Sequence, residues 1–154
     1  MRTVGPIIIV EDDIDDQELL SETFKFLKYP HQVLYFTDGY KALDFIETTS
    51  VAPFLILSDI NMPRINGFEL REKLHSSTIP SVKSIPYLFF TTGAQKEAVE
   101  EASANSAQGF FIKPSSMGAL QVTIRKILDY WQQCYLPNQD AAQSNGSMRT
   151  TKAA

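Results

Sequence analysis

Ile7-Ile-Ile-Val10 is apolar and β-branched at every position, the pattern of a parallel strand covered on both faces. It stops abruptly at Glu11-Asp12-Asp13. Leu19, Leu20, Phe24 and Leu27 then recur at helical spacing and predict an amphipathic helix over about residues 15–28, ended by Tyr29-Pro30. Gln32 to Phe36 is a second short strand; Thr37-Asp38-Gly39 turns the chain, and Ala42, Leu43, Phe45 and Ile46 mark a second helix. The apolar run Phe54 to Leu57 is a third strand. It delivers Asp59 into a loop that Pro63 and Asn66-Gly67 keep out of helix and sheet. Phe68, Leu70 and Leu74 lie in a third helix, and Ile85 to Phe90 forms a fourth strand ended by Thr91-Thr92-Gly93. An Ala- and Glu-rich segment over about residues 95–105 is a weakly apolar fourth helix. Gly109 to Ile112 is a fifth strand ended by Lys113-Pro114, and Leu120, Val122, Ile124, Ile127, Leu128 and Trp131 belong to a long last helix.

Five strand-then-helix units in strict alternation predict an α/β protein: one parallel sheet sandwiched between helices, doubly wound. After Pro137 almost nothing large remains to bury, so residues 137–154 are expected to be a flexible tail behind a domain spanning 1–136. At 154 residues the chain suffices for one domain with a full core and falls short of two ordinary ones. Its formal charge of −4, with neither Lys nor Arg in a run, argues against nucleic acid or an anionic membrane surface as partner. One cysteine, Cys134, rules out an internal disulfide and suits a reducing cytoplasm. No signal-peptide core is expected at the start, and no apolar stretch approaches the roughly 20 residues a membrane helix needs.

In a parallel sheet every strand points its carboxyl end at the same edge, where open α/β sheets place their chemistry. Glu11, Asp12 and Asp13 leave strand 1, Asp59 strand 3, Thr91 strand 4 and Lys113 strand 5. Two carboxylates ~5 Å apart repel by roughly 3 kcal/mol at an effective dielectric of 20. Such a cluster is tolerable around a divalent cation, and hard carboxylate oxygens, a backbone carbonyl and waters suit Mg²⁺. Lys113 adds a second positive charge and Thr91 a hydroxyl donor. Each signal is weak alone: Asp13, Asp15 and Asp16 read equally well as helix-capping acids, Asp59 as a turn residue and Lys113 as a solvated lysine. Their shared placement at strand ends is the stronger signal. His31 and His75 have no partners at metal-ligand spacing and are taken as surface residues, and Cys134 as a passive thiol.

With these residues in place the chain resembles a response-regulator receiver domain of two-component signalling, over about residues 5–135. The resemblance implies a flavodoxin-like sheet of order 2-1-3-4-5. It puts the acidic pair on Glu11-Asp12, the phosphoacceptor on Asp59 and a metal-binding backbone carbonyl on Asn61, within Asp-Ile-Asn-Met-Pro. The switch hydroxyl falls on Thr91, five residues after Pro86 and beside Thr92, and the lysine on Lys113, in a Lys-Pro pair that similar proteins hold cis. The aromatic switch position falls on Phe110, which has no hydroxyl to offer a partner, and Gly93 carries no side chain where relatives tune the hydrolytic water. The implied function is a single-domain response regulator. Asp59 takes a phosphoryl group from a phosphohistidine on a histidine kinase or histidine phosphotransfer protein, with Mg²⁺, and a conformational switch then reaches a downstream protein target. Its implied place is the cytoplasm. Homodimerisation through the fourth helix, fifth strand and last helix is common in that family. The alternative is a phosphotransfer intermediate or phosphate sink in a multistep relay. Either way the chain is no enzyme beyond its own phosphorylation and dephosphorylation. A magnesium-dependent phosphatase with an aspartyl nucleophile ranks low, because the place of its general acid is Asn61. A binding module that has lost phosphorylation is disfavoured by the complete set of Asp59, Thr91 and Lys113. No P-loop or dinucleotide glycine pattern supports nucleotide binding.

Overall fold

The computed structural model describes residues 5–92, 96–104 and 108–134. Strands β1 (Ile7–Val10), β2 (Val33–Phe36), β3 (Leu55–Ser58), β4 (Tyr87–Thr91) and β5 (Gly109–Ile112) form one parallel sheet of order β2-β1-β3-β4-β5. Helices α1 (Ile14–Leu27) and α6 (Met117–Gln133) pack together on one face, with α2 (Gly39–Thr48) and α3 (Gly67–His75) on the other. The short helix α4 (Pro80–Lys83) and helix α5 (Lys96–Ala104) complete the order.

Alternation along the central strands feeds two cores. Ile8, Val10, Ile56, Tyr87 and Phe89 pack with α2 and α3, whereas Ile7, Ile9, Leu57, Leu88 and Phe90 pack with α1 and α6. All four residues of β1 are 0–1% exposed, which explains why that strand is apolar throughout rather than alternating. The helices start where side chains satisfy their first amides: Asp13 caps α1, Asp38 caps α2, Asn66 and Glu69 form a reciprocal capping box on α3, and Ser116 caps α6.

The structure departs from the pattern in four places. Helix α4, with Pro80 at its start, fills a stretch with no predicted element; four residues are too few for apolar periodicity to show. Strand β4 runs on to Thr91, because its last residue pairs with Ile112 across the sheet, a partner no local pattern reveals. Lys113-Pro114 is trans, since no cis peptide bond occurs among the described residues. His31 is not a surface residue: it is 9% exposed, with its ring 4.4 Å from that of Phe54, while His75 is exposed. Gly93 and the expected tail over 137–154 lie outside the described residues. Among the described residues no helix is long and apolar enough to cross a membrane.

Burial lowers the pKa of His31, and its Nδ1 has no hydrogen-bond partner. A histidine whose folded pKa is depressed contributes stability above its unfolded pKa of about 6.5, and that stability is lost as pH falls. Wild type is therefore expected to lose stability between about pH 7 and pH 5 more steeply than His31→Phe, in urea melts at both pH values. Parallel pH dependences would contradict this placement of the ring.

Candidate functional site at the carboxyl edge of the sheet

Strands β1 and β3 are neighbours, so their ends bring Glu11, Asp12 and Asp59 together. One carboxylate oxygen from each lies within 4.8 Å of the others, the one such group among the described residues. Glu11 is 2% exposed, and its Oε2 accepts from the Asp13 amide at 3.2 Å. Asp59 is held by the neighbouring strand and by its own loop: its amide donates to the Val10 carbonyl at the end of β1 at 3.0 Å, and its Oδ1 accepts from the Ile60 amide at 2.7 Å. That bond leaves Oδ2 to face the site. Asn61 lies exposed two residues on, in the same loop.

From β5 comes the counter-charge. The Lys113 amide donates to the Thr91 carbonyl at 2.8 Å, fixing the backbone past the strand. Its side chain is 8% exposed, and Nζ donates to Glu11 Oε1, to Asp16 Oδ2 at 3.1 Å and to Asp59 Oδ2 at 3.4 Å. Burial alone would lower the lysine's pKa, but the Glu11 bond and the charges of Glu11 and Asp59 outweigh it and the net shift is upward. Burial pushes the Glu11 carboxyl up to about 7; Asp59 repels it further, and Lys113 opposes both. Three carboxylates, those of Glu11, Asp16 and Asp59, thus face one ammonium, and Asp12 adds a fourth negative charge beside Glu11 and Asp59. Hard oxygen donors left with excess negative charge fit Mg²⁺.

An acid whose folded pKa is raised stabilises below its unfolded pKa and loses that contribution as pH rises through the folded value. Without divalent cation, wild type is expected to lose about 2 kcal/mol relative to Glu11→Gln between about pH 5 and pH 8. Added Mg²⁺ is expected to narrow that gap at the higher pH, since ligand carboxylates bind it ionised. Thermal melts of both proteins with and without chelator measure it, and a gap independent of pH contradicts it.

Thr91 is 2% exposed and Thr92 is exposed, so the strand selects the first of the pair for the interior. By alternation Thr91 shares a face with Phe89, opposite which in register stands Phe110. Phe110 is half-buried against that core, its ring 6.2 Å from that of Phe89. The residues singled out in the sequence therefore sit at one sheet edge or on the strands leading to it. Two features were missed. Asp16, taken for a helix-capping acid, reaches Lys113; the cap is Asp13, which accepts from the amides of Asp15 and Asp16. Arg64, at φ 70°, pairs with Asp38 and lies 5.0 Å over the Tyr40 ring, clasping the Asp59 loop to the start of α2. The sequence offers no signal for that clasp, since its partners are 24 or more residues apart.

The chain is similar to known proteins in sequence and in fold. The chain is 26% identical over 129 residues to the probable methanogenesis regulatory protein FilR2 of Methanothrix harundinacea, covering 81% of this chain and 82% of that one. It is 25% identical over 122 residues to sporulation initiation phosphotransferase F of Bacillus subtilis, covering 79% and 92%. The crystal structure of the Mn²⁺-bound form of response regulator Rcp1 superposes with a TM-score of 0.74 at 26% identity, covering 86% of this chain and 99% of that one. The model of the response regulator receiver domain matches residues 7–125. Sheet order, edge-of-sheet acids and this match agree: the chain belongs to the response regulator receiver domain family.

Proposed function

We propose that Asp59 is the phosphoacceptor of a single-domain response regulator, phosphorylated by a histidine kinase or a histidine phosphotransfer protein. The observation that carries this is the Lys113 ammonium 3.4 Å from Asp59 Oδ2, beside the acids of Glu11 and Asp12. Asp59 Oδ2 attacks phosphorus of a phosphohistidine in line; the O–P bond forms, the P–N bond breaks with its electrons leaving on imidazole, and an acyl phosphate results. Glu11, Asp12, Asp59 and the Asn61 carbonyl would hold Mg²⁺, which neutralises charge on the phosphoryl oxygens when bound. Lys113 supports the same oxygens from the β5 side, and the Thr91 hydroxyl donates to one of them.

The product adds charge and acceptor oxygens where Asp59 had one anion. Thr91 and Lys113 are drawn to it, and Phe110, half-buried beside Phe89, turns into the space Thr91 leaves. A charge-assisted hydrogen bond contributes ~1.5–3 kcal/mol, and two approach the ~5.5 kcal/mol that takes a population from 1:99 to 99:1. The altered face of α5, β5 and α6 then meets a downstream protein or a second copy of the chain. Catalysis is confined to the chain's own phosphorylation and dephosphorylation. A cytoplasmic place fits the single free thiol, Cys134. A second reading, an intermediate or phosphate sink in a relay, is favoured by the likeness to a phosphotransferase of sporulation initiation.

The test is incubation with acetyl phosphate or a phosphorylated histidine kinase in Mg²⁺. A phosphoryl adduct on the peptide holding Asp59, labile to hydroxylamine, is expected. Absence of any adduct with either donor overturns the reading.

A further inference from the structure

Lys113 Nζ faces three carboxylates, and two of them, Glu11 and Asp59, also belong to the trio whose oxygens lie within 4.8 Å of one another. The third, Asp16, stands 3.1 Å from Nζ and outside that trio. It is also the most accessible, its side chain 34% exposed against 2% for Glu11 and 11% for Asp59. Its place is fixed twice over. Asp13 Oδ1 accepts from the amides of Asp15 and Asp16 at 2.9 and 3.2 Å, and Gln17 Nε2 donates to the Glu11 carbonyl at 2.7 Å. The first turn of α1 is thereby tied to the end of β1, with Asp16 over the lysine.

A divalent cation held by Glu11 and Asp59 draws on the same two carboxylates that Lys113 uses. The lysine side chain is 8% exposed, so an ammonium robbed of both acids has little water to turn to. We propose that Asp16 is a positioning residue for Lys113: it keeps the ammonium paired and aimed at the site while Glu11 and Asp59 turn to a divalent cation. Without Asp16 the lysine competes with the cation for those two carboxylates. On phosphorylation the accessible carboxylate is the one readily exchanged for water, which frees Nζ for a phosphoryl oxygen. That last consequence rests on the function proposed above; the competition itself does not.

Amide shifts of ¹⁵N-labelled protein titrated with Mg²⁺ test it, with circular dichroism to confirm folding. Asp16→Asn is expected to weaken Mg²⁺ binding by about three- to tenfold, and Asp16→Glu, which keeps the charge and the reach, by less than about twofold. In a Lys113→Met background the Asp16→Asn change is expected to fall below about twofold, because the competing ammonium is gone. Unchanged binding in Asp16→Asn overturns the proposal, as does an equal loss in the Lys113→Met background, where Asp16 would be acting on the cation directly. A wild type that binds Mg²⁺ yet takes no phosphoryl group sinks the proposed function and leaves this cycle readable.

Discussion

Asp59→Asn is expected to abolish phosphoryl labelling by acetyl phosphate, by more than about a thousandfold, with the fold retained. The amide is nearly isosteric, and its oxygen can still accept the 2.7 Å bond from the Ile60 amide that orients the side chain. What disappears is the anion on Oδ2, the only part of the residue that can bond to phosphorus. Lys113 loses one partner at 3.4 Å and keeps Glu11 and Asp16. Removing a negative charge beside Glu11 also relieves part of the repulsion that raises the glutamate's pKa, so the cation-free variant should melt no lower than wild type. Intact-protein mass after incubation reads the first effect and thermal melting the second. Labelling that survives in Asp59→Asn moves the acceptor elsewhere.

What the sequence made legible was the set of residues that end strands, because a strand's direction is fixed by chain order and its end by where the apolar run stops. Ile7-Ile-Ile-Val10 followed by Glu11 is such a boundary, and so is Ile112 followed by Lys113; once the sheet is parallel, those ends must share an edge. What stayed hidden depends on contacts between distant residues. Thr91 belongs to β4 because Ile112 pairs with it. His31 is buried against the Phe54 ring, a contact across the fold that no local pattern reveals. Asp16 looked like any acid in a helix's first turn, and only the path of Lys113 separates it from Asp15. The resemblance to receiver domains supplied the sheet order and the roles of Asn61 and Phe110, which no periodicity encodes. It also suggested a cis Lys113-Pro114 bond, where the chain is trans.

Gly67→Ala tests the hinge between fold and site, and a loss of about 2–4 kcal/mol of stability is expected. A Cβ at this position would stand 2.2 Å from the Asp59 carbonyl oxygen, 3.1 Å from its carbonyl carbon and 3.0 Å from Ile60 Cα. All three are backbone atoms, so no flexible side chain can swing away. The glycine itself is pinned: its amide donates to the Ile60 carbonyl at 2.8 Å, and its carbonyl accepts from the Tyr87 hydroxyl at 2.9 Å. Tyr87 is 1% exposed, so retreat of Gly67 would leave a buried hydroxyl without its acceptor. Advance of the other side would push Asp59 and the Asn61 loop out of place, and both routes damage the site. Gly118→Ala is the matched control: nothing lies within 4 Å of its Cβ, and alanine in the first turn of α6 should stabilise by up to about 1 kcal/mol. Urea midpoints should therefore move in opposite directions for the two glycines, and labelling at Asp59 should fall only in Gly67→Ala. Two variants of equal stability would mean that the Asp59 loop has slack which these distances deny.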